Sequence, residues 1–242
     1  MGKRDQVMLI VGGSSGMGLA TARLAVNNGF RVIIASRGQA KLDAALNKID
    51  NQNATAYRVD TLDEKSTAEL FEKVGKIDHL VITAAETDFL SIKTSSVNEV
   101  KGLFDSRYFG PFRVTQAALE HMDPAGSITL FSGTAGVKAF KEYEVLASIS
   151  AAIDGFARTL ALTLAPIRVN SISPGLIDTP AIRSDSGGDD DATMEVFQEV
   201  IKSQAVERIG RADEIAQGVI YLATNQFITG TTLFIDGGLA IS

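Results

Sequence analysis

Short runs of apolar and β-branched residues alternate with longer segments of helical periodicity along the first third of the chain. The runs are VMLIV at 7–11, RVIIAS at 31–36, TAYRV at 55–59 and HLVIT at 79–83. Strands that are apolar throughout are typical of a sheet buried on both faces, and the intervening helices favour parallel pairing. The alternation therefore predicts a doubly wound α/β fold, with helices on both faces of a mainly parallel sheet.

The rest of the chain continues this pattern. A helical region is expected from about Asn98 to His121, and Ser96 and Glu99 form a capping-box pattern before it. Further strands are SITLFS at 127–132, RVNSIS at 168–173 and TTLFID at 231–236, with a helix from about Ala212 to Ala223. TTLFID is expected to be the seventh strand. The 242 residues suffice for a single α/β domain over 1–242.

A glycine-rich loop joins the first strand to the first helix. VGGSSGMG spaces Gly12, Gly16 and Gly18 as G-x-x-x-G-x-G. Glycine permits positive φ in the turn and lets backbone N–H groups approach a pyrophosphate at the helix N-terminus. Between a buried strand and a helix, the loop predicts a dinucleotide site of a Rossmann-type fold rather than a structural turn. The residues expected to contact the cofactor here are Gly12, Ser14, Ser15, Gly16, Met17 and Gly18.

The end of the second strand indicates which dinucleotide is bound. A carboxylate there would accept hydrogen bonds from a free ribose, but this chain has Ser36 and Arg37. A guanidinium group suits a phosphate. We therefore expect NADP(H) to be preferred over NAD(H); the alternative is that Arg37 is an ordinary solvated arginine.

The overall charge and the cysteine count exclude several kinds of partner. The net charge of −6 offers no basic field to nucleic acid or to an anionic membrane. The chain has no cysteine, which excludes disulfides and thiolate metal sites and is compatible with a reducing compartment. No apolar run approaches the roughly 20 residues of a membrane helix. A cytoplasmic protein with a small-molecule substrate is expected.

The segment AIRSDSGGDDDATMEVFQEV has a composition unlike the rest of the chain. It is acidic and glycine-containing, and it follows a strand end, where ligand crevices lie in such sheets. We predict a mobile lid over 180–203, although a solvated loop without function has the same composition. The aspartates lack the spacing of a calcium loop, so no metal site is expected.

These motifs resemble those of the short-chain dehydrogenase/reductase family over essentially the whole chain. VGGSSGMG is similar to the family's T-G-x-x-x-G-x-G loop, with Val11 in place of the threonine, and IDHLVITAA resembles its I-D-x-L-V-N-N-A-G strand. IRVNSISPGLIDT, RIGRADEIA and FITGTTLFIDGG closely match its C-terminal third.

The resemblance implies further cofactor contacts. Asp60 in RVDTLDE matches the aspartate that contacts adenine, and Thr61 follows it. The remaining expected contacts are Ala84 and Ala85 after the fourth strand, Ser150, and the residues bordering the nicotinamide, Pro174, Gly175, Ile177 and Thr179. A homodimer or homotetramer is also implied.

The catalytic tetrad of the family, Asn-Ser-Tyr-Lys, is not found at the matching positions. Alignment on Gly155 places Leu146 at the tyrosine and Ser150 at the lysine, whereas Gly133 and Arg107 match the serine and the asparagine. Leucine has no proton to give, and serine has no charge to lower a neighbouring pKa. Only an activated carbonyl or a quinone is expected to accept hydride at a useful rate.

Several residues could substitute for the tetrad. Tyr143 is the nearest phenol to Leu146, with a lid or packing role as the alternative. Arg107 could stabilise developing negative charge, or could form a structural salt bridge. Ser132 and Thr134 flank Gly133 and could position an oxygen. No catalytic or metal-binding role is expected for Lys138, Lys141, His79 and His121.

Pro111 predicts an irregular helix next to Arg107. Proline lacks the N–H that would bond the carbonyl of residue i−4, which here is Arg107. In the family this helix is kinked, and the freed carbonyl binds water. A regular helix through Arg107 would contradict the hypothesis that this chain keeps the kink.

The sequence leaves three functions open. The first is an NADP(H)-dependent oxidoreductase with a rebuilt catalytic centre. The second is a catalytically inactive NADP(H)-binding sensor or regulatory protein, because dinucleotide binding does not need the tetrad. The third is a structural oligomer partner that binds no nucleotide. The apolar helical stripe of Leu146, Ile149 and Ile153 supports this interpretation.

Overall fold

The apolar runs of the sequence form the strands of a parallel sheet. The structure, a computed structural model, describes residues 6–84, 89–180, 182 and 198–242. Its strands are β1 (Val7–Val11), β2 (Arg31–Ser36), β3 (Ala54–Arg58), β4 (Ile77–Ile82), β5 (Met122–Phe131), β6 (Arg168–Pro174), β7 (Ile177–Asp178), β8 (Gly210–Arg211) and β9 (Thr232–Ile235). Seven of them form the main sheet in the order β3-β2-β1-β4-β5-β6-β9, and every pairing in it is parallel. The predicted doubly wound, seven-stranded sheet is confirmed.

Helices cover both faces of this sheet. They are α1 (Gly16–Asn27), α2 (Gln39–Ile49), α3 (Glu64–Val74), α4 (Val97–Phe104), α5 (Gly110–Ala118), α6 (Glu144–Thr163) and α7 (Ala212–Thr224). One core cluster joins the sheet to α3, α5 and α6, and a second joins the opposite face to α1, α2 and α7. Alternate residues of β1 supply both clusters, which explains why this strand is apolar throughout.

The strand order fixes where a ligand crevice forms. From β1 the chain builds the sheet outwards through β2 to β3, and from β4 it builds the opposite half through β5 and β6 to β9. The chain connections therefore turn to opposite sides at the boundary between β1 and β4. Ligands of open α/β sheets bind at such a switch point, outside the carboxyl ends of the strands. The glycine-rich loop follows β1 at this place.

α6 is interrupted by Asp154 and Arg158, so it contains no unbroken apolar run. Its 20 residues are nevertheless long and apolar enough to cross a membrane by length and composition alone. That is weak support for a membrane span, because the core helix of an α/β sheet has the same composition. Ile153 and Ala157 of α6 pack in the sheet core, and Asp154 accepts a 2.6 Å hydrogen bond from Ser171 Oγ of β6.

The helical region between β4 and β5 is interrupted next to Arg107. A π turn, Asp105–Phe109, lies between α4 and α5, and the Gly110 N–H bonds the carbonyl of Asp105, five residues back. Pro111 follows in the first turn of α5. The predicted irregularity is confirmed, and so is the capping box of Ser96 and Glu99 at the start of α4.

His79 is buried in β4 and is 2% exposed. Its Nδ1 lies 2.9 Å from Ser127 Oγ, and its ring meets Phe30 edge-on. Burial lowers the pKa of His79 from 6.5 to about 4, with Arg168 acting in the same direction and the carboxylates of Asp78 and Asp123 opposing it. The imidazole is therefore neutral in the folded protein near neutral pH.

We expect this histidine to make the protein less stable in acid. Between about pH 6.5 and 4 the unfolded chain binds a proton that the folded chain does not, so the free energy of unfolding falls as the pH drops through that window. Because the unfolded imidazole is half protonated at pH 6.5, the loss integrated between pH 7.5 and 5 is about 2 kcal/mol. Urea unfolding of the wild type at pH 7.5 and 5 should show this loss. In His79→Asn this loss should be smaller by about the same amount.

Candidate active site

A cleft of about 300 Å³ opens at the carboxyl ends of the central strands. It runs from the glycine-rich loop across the ends of β4, β5 and β6 to the start of α6. Eleven of the residues expected to contact the cofactor line it: Gly12, Ser15, Gly16, Met17, Gly18, Ala84, Ser150, Pro174, Gly175, Ile177 and Thr179. The loops predicted from separate parts of the sequence therefore meet in one cavity.

The N-terminus of α1 is left open towards this cleft. Ser15 is the N-cap residue, yet among the described residues no side chain caps the helix, and its first turn contains no acidic residue. In contrast, Asp63 caps α3 and Ser96 caps α4. The free N–H groups and the positive end of the helix dipole fit an anion such as a pyrophosphate.

Close packing explains two of the loop glycines. Gly12 has φ +94°, and a Cβ there would lie 2.5 Å from the Ala84 nitrogen. A Cβ at Gly18 would lie 2.3 Å from the Gly12 carbonyl oxygen and 2.7 Å from Thr83 Oγ1. Thr83 and Ala84 in turn donate backbone hydrogen bonds to the carbonyl of Val11. The loop is thus pressed against the end of β4, which leaves no room for side chains at these positions.

The ends of β2 and β3 hold two arginines next to each other. Arg58 pairs with Ser36 in the sheet, and its Nε donates a 3.1 Å hydrogen bond to the carbonyl of Arg37. Ser36 Oγ is buried without a hydrogen-bond partner in the described part of the chain. α2 begins directly after this edge, at Gln39, with no capping side chain from the described residues and no acidic residue in its first turn. Sequence reasoning missed Arg58, which only the pairing of β2 with β3 brings to this position.

The segment predicted to contact adenine is linked to the helical region that carries Arg107. Arg113 Nη1 donates to the Thr61 carbonyl at 3.4 Å, and Arg113 Nη2 lies 2.6 Å from Asp105 Oδ1. The two residues of this ion pair are eight positions apart, which corresponds to a rotation of about 80° between them around a regular α-helix. Because the π turn adds one residue, they lie as if seven apart, on the same face. Asp60 Oδ1 accepts from the Leu62 N–H and shapes its own turn.

The four positions assigned to the tetrad line the cleft together. They are Arg107 in the π turn, Gly133 after β5, and Leu146 and Ser150 one turn apart in α6. Ser150 is 3% exposed, and a Cβ at Gly133 would lie 3.3 Å from its Oγ. Among the described lining residues, Arg107 is the one with a charged side chain.

Tyr143 is the N-cap residue of α6 and also lines the cleft. Its ring centroid lies 5.2 Å from that of Phe89 and 5.5 Å from that of Phe140. Burial raises the pKa of the phenol above its usual value of 10.0. A raised pKa makes the phenol a weaker acid, the opposite of the change that a proton donor needs.

The other candidate side chains are held by structural hydrogen bonds. Ser132 Oγ donates to the Ile172 carbonyl at 3.4 Å, and Thr134 Oγ1 donates to the Pro174 carbonyl at 3.1 Å. Lys138 Nζ donates to the Ser242 carbonyl at 2.6 Å, and His121 Nδ1 lies 3.2 Å from the Gly75 carbonyl. Lys141 is exposed.

Some predicted residues lie away from the cleft or outside the described residues. Ser14, Ser36, Arg37, Asp60 and Thr61 are not part of its described lining. Ala85 and most of the predicted lid, 181 and 183–197, lie outside the described residues. Ile182 and Val200, on either side of that gap, line the cleft.

Comparisons with known proteins agree along the whole chain. The profile of a family described as enoyl-(acyl carrier protein) reductase matches residues 11–240. Short-chain dehydrogenase/reductase ATR9 of Stachybotrys chlorohalonatus is 32% identical over 249 residues, covering 97% of each chain.

Solved structures share the same fold. MalC reductase/Diels-Alderase from Malbranchea aurantiaca matches with a TM-score of 0.89 and 26% identity, over 99% of this chain and 98% of that one. A small-chain dehydrogenase in complex with NADPH matches with a TM-score of 0.81 and 28% identity, over 99% and 100%. Because sequence and fold agree from the first strand to the last, this protein belongs to the short-chain dehydrogenase/reductase family of oxidoreductases, whose members bind a nicotinamide cofactor.

Proposed function

We propose that this protein is an NADP(H)-dependent oxidoreductase that reduces an activated carbonyl or a quinone with a rebuilt catalytic centre. The observation that supports the proposal is that one cleft contains the uncapped end of α1 together with Arg107 and Leu146. One end fits a dinucleotide, whereas the other has an apolar side chain where the family has its proton donor. Dinucleotide binding is thus retained next to a site with little capacity for acid catalysis.

The missing donor restricts the substrate. When a ketone or aldehyde accepts hydride, the new alkoxide needs a proton as it forms, and Leu146 has none to give. When a quinone accepts hydride, its ring becomes aromatic and one oxygen takes the negative charge. A proton from water then completes the hydroquinone, so two electrons and two protons are accounted for. NADPH held at the glycine-rich loop would supply the hydride, which is the source of both electrons.

Arg107 is the proposed electrostatic catalyst in this reaction. A guanidinium group in the cleft stabilises negative charge on the reduced oxygen without having to lose a proton. Tyr143 remains the candidate donor for carbonyls that do need a proton. The mobile lid over 180–203 and the homodimer or homotetramer also remain proposals.

Binding and turnover test the proposal separately. NADPH should stabilise the purified protein against heat at micromolar concentration, and its absorbance should fall when 1,4-naphthoquinone or 2,3-butanedione is added. Binding without oxidation of NADPH by either compound, or by aldehydes, would favour the alternative, a catalytically inactive sensor. Absence of binding would leave a structural oligomer partner.

NADP(H) preference is expected to depend on Arg37 and Arg58. A phosphate contact of a charged group contributes about 1.5–3 kcal/mol, so Arg37→Ala should weaken NADPH binding at least tenfold. Arg58→Ala should also weaken it, because the carbonyl of Arg37 loses its hydrogen bond. Titration with NADH should give unchanged affinity in both variants. Arg31→Ala, at the other end of β2, is the control, and NADH binding as tight as NADPH in the wild type would refute the preference.

A further inference from the structure

Resting on the proposed function, we propose that the substrate is a planar aromatic carbonyl compound, such as a ring-fused quinone, which stacks against three aromatic rings of the cleft. These rings, Phe89, Phe140 and Tyr143, are called the aromatic wall. All three line the same cleft as Leu146, which stands where the family has its proton donor. A substrate in contact with the wall therefore has its reacting oxygen within the same part of the cavity.

The rings of the aromatic wall are tilted against one another rather than stacked flat. Tyr143 lies in the middle, tilted by 54° to Phe89 and by 45° to Phe140. Rings at these angles leave faces and edges open to a further ring, which can pair offset or edge-on. Phe89 is 39% exposed, so the wall can be reached from the solvent side of the cleft.

Backbone hydrogen bonds and a cation–π contact fix Phe140 and Tyr143 of the aromatic wall. The Tyr143 N–H donates to the Phe140 carbonyl, and the Tyr143 carbonyl accepts a 2.8 Å bond from Ala147 in the first turn of α6. The ammonium group of Lys138 lies 5.7 Å from the centre of the Phe140 ring and is itself bonded to the Ser242 carbonyl. A preformed wall loses little side-chain entropy when a ligand binds.

The remaining lining favours the same class of ligand. Leu146, Leu176 and Ile182 add apolar surface, and Val200 lies at the rim. Arg107 is the charged group among the described lining residues, and it suits one oxygen with developing negative charge. A flexible 3-oxoacyl thioester could fill the apolar surface but could not pair with the rings. The geometry thus selects for an extended aromatic plane that carries an oxygen at one edge.

Matched ligands separate stacking from general hydrophobicity. We would measure, by calorimetry with NADP⁺ present, the binding of 2-naphthol and of its saturated counterpart decahydro-2-naphthol, which has the same carbon skeleton but no flat ring. Wild-type protein should bind 2-naphthol about tenfold more tightly. Tyr143→Phe should keep this ratio, whereas Tyr143→Leu and Phe140→Leu should each bring it close to one. Phe227→Leu, at a site that is 99% exposed, should leave it unchanged.

The outcomes distinguish this inference from the proposed function. Equal binding of the two ligands to the wild type would overturn the aromatic substrate class, even if NADPH were oxidised by 2,3-butanedione. If both leucine variants still bound 2-naphthol about tenfold more tightly than decahydro-2-naphthol, the role of the aromatic wall would be overturned. Selective binding of 2-naphthol together with no oxidation of NADPH by 1,4-naphthoquinone would support the wall and overturn the reductase.

Discussion

Gly18→Ala is expected to abolish micromolar NADP(H) binding. The new methyl group would lie 2.3 Å from the Gly12 carbonyl oxygen and 2.7 Å from Thr83 Oγ1. The first of these atoms belongs to the backbone, so the loop must move away from α1 and from the end of β4. That movement misplaces the N–H groups that are proposed to bind the pyrophosphate. Overpacking of this kind also lowers the free energy of unfolding by about 1–3 kcal/mol.

Gly102→Ala provides the matched control. Gly102 lies in α4, where an added Cβ meets nothing within 4 Å. The same chemical change there should leave NADPH binding intact and raise the free energy of unfolding by up to about 1 kcal/mol, through helix propensity. NADPH titration and urea unfolding of both variants decide the matter. A Gly18→Ala protein that binds NADPH as the wild type does would show that the loop tolerates side chains.

The fold could be predicted because its signals are local. Every residue of β1 is apolar, and every residue of β4 is buried although Asp78 and His79 are among them. Strands buried on both faces and joined by helices are typical of a parallel α/β sheet. The capping box of Ser96 and Glu99 lies within four residues. The glycines after β1 likewise lie within one short loop and the start of the following helix, and their spacing predicted where α1 begins.

Features that depend on two distant segments could not be predicted in this way. Arg58 meets Arg37 only through the register of β2 with β3. The Asp105 and Arg113 pair has a spacing that no helix pattern signals, because the π turn shifts its phase. Phe89 reaches Tyr143 across more than fifty residues of sequence. The aromatic wall was therefore not visible as a set, although Tyr143 was singled out.

The role of α6 depends on its packing rather than on its composition. Its 20 residues are apolar enough for a membrane span, but polar residues at intervals leave no uninterrupted apolar run. In the fold one side of the helix is core, and Asp154 is satisfied by Ser171. Length and composition describe such a helix equally well as a membrane span or as a core helix, and the packing against the sheet explains why it is apolar here.

Arg107→Leu is expected to lower kcat for 1,4-naphthoquinone by about 10²–10³, the usual effect of removing one group that stabilises an oxyanion. Arg107 lies in the π turn and lines the cleft. Because its proposed contact is with the substrate oxygen and not with the cofactor, the dissociation constant of NADPH should not change. Arg107→Lys should have a kcat between those of the wild type and of Arg107→Leu, because lysine keeps the positive charge but lacks the planar guanidinium group. Single-turnover oxidation of NADPH measures the step directly.

Two further variants show whether the effect belongs to this arginine. Arg158→Leu removes a guanidinium from the exposed side of α6 and should leave kcat unchanged, which controls for overall charge. Tyr143→Phe should reduce kcat for the quinone far less than Arg107→Leu, because the raised pKa of the phenol makes it a poor donor. A wild-type kcat in Arg107→Leu, combined with a large loss in Tyr143→Phe, would reverse these roles. The phenol would then be the acid that replaces the family's tyrosine one helical turn away, at Leu146.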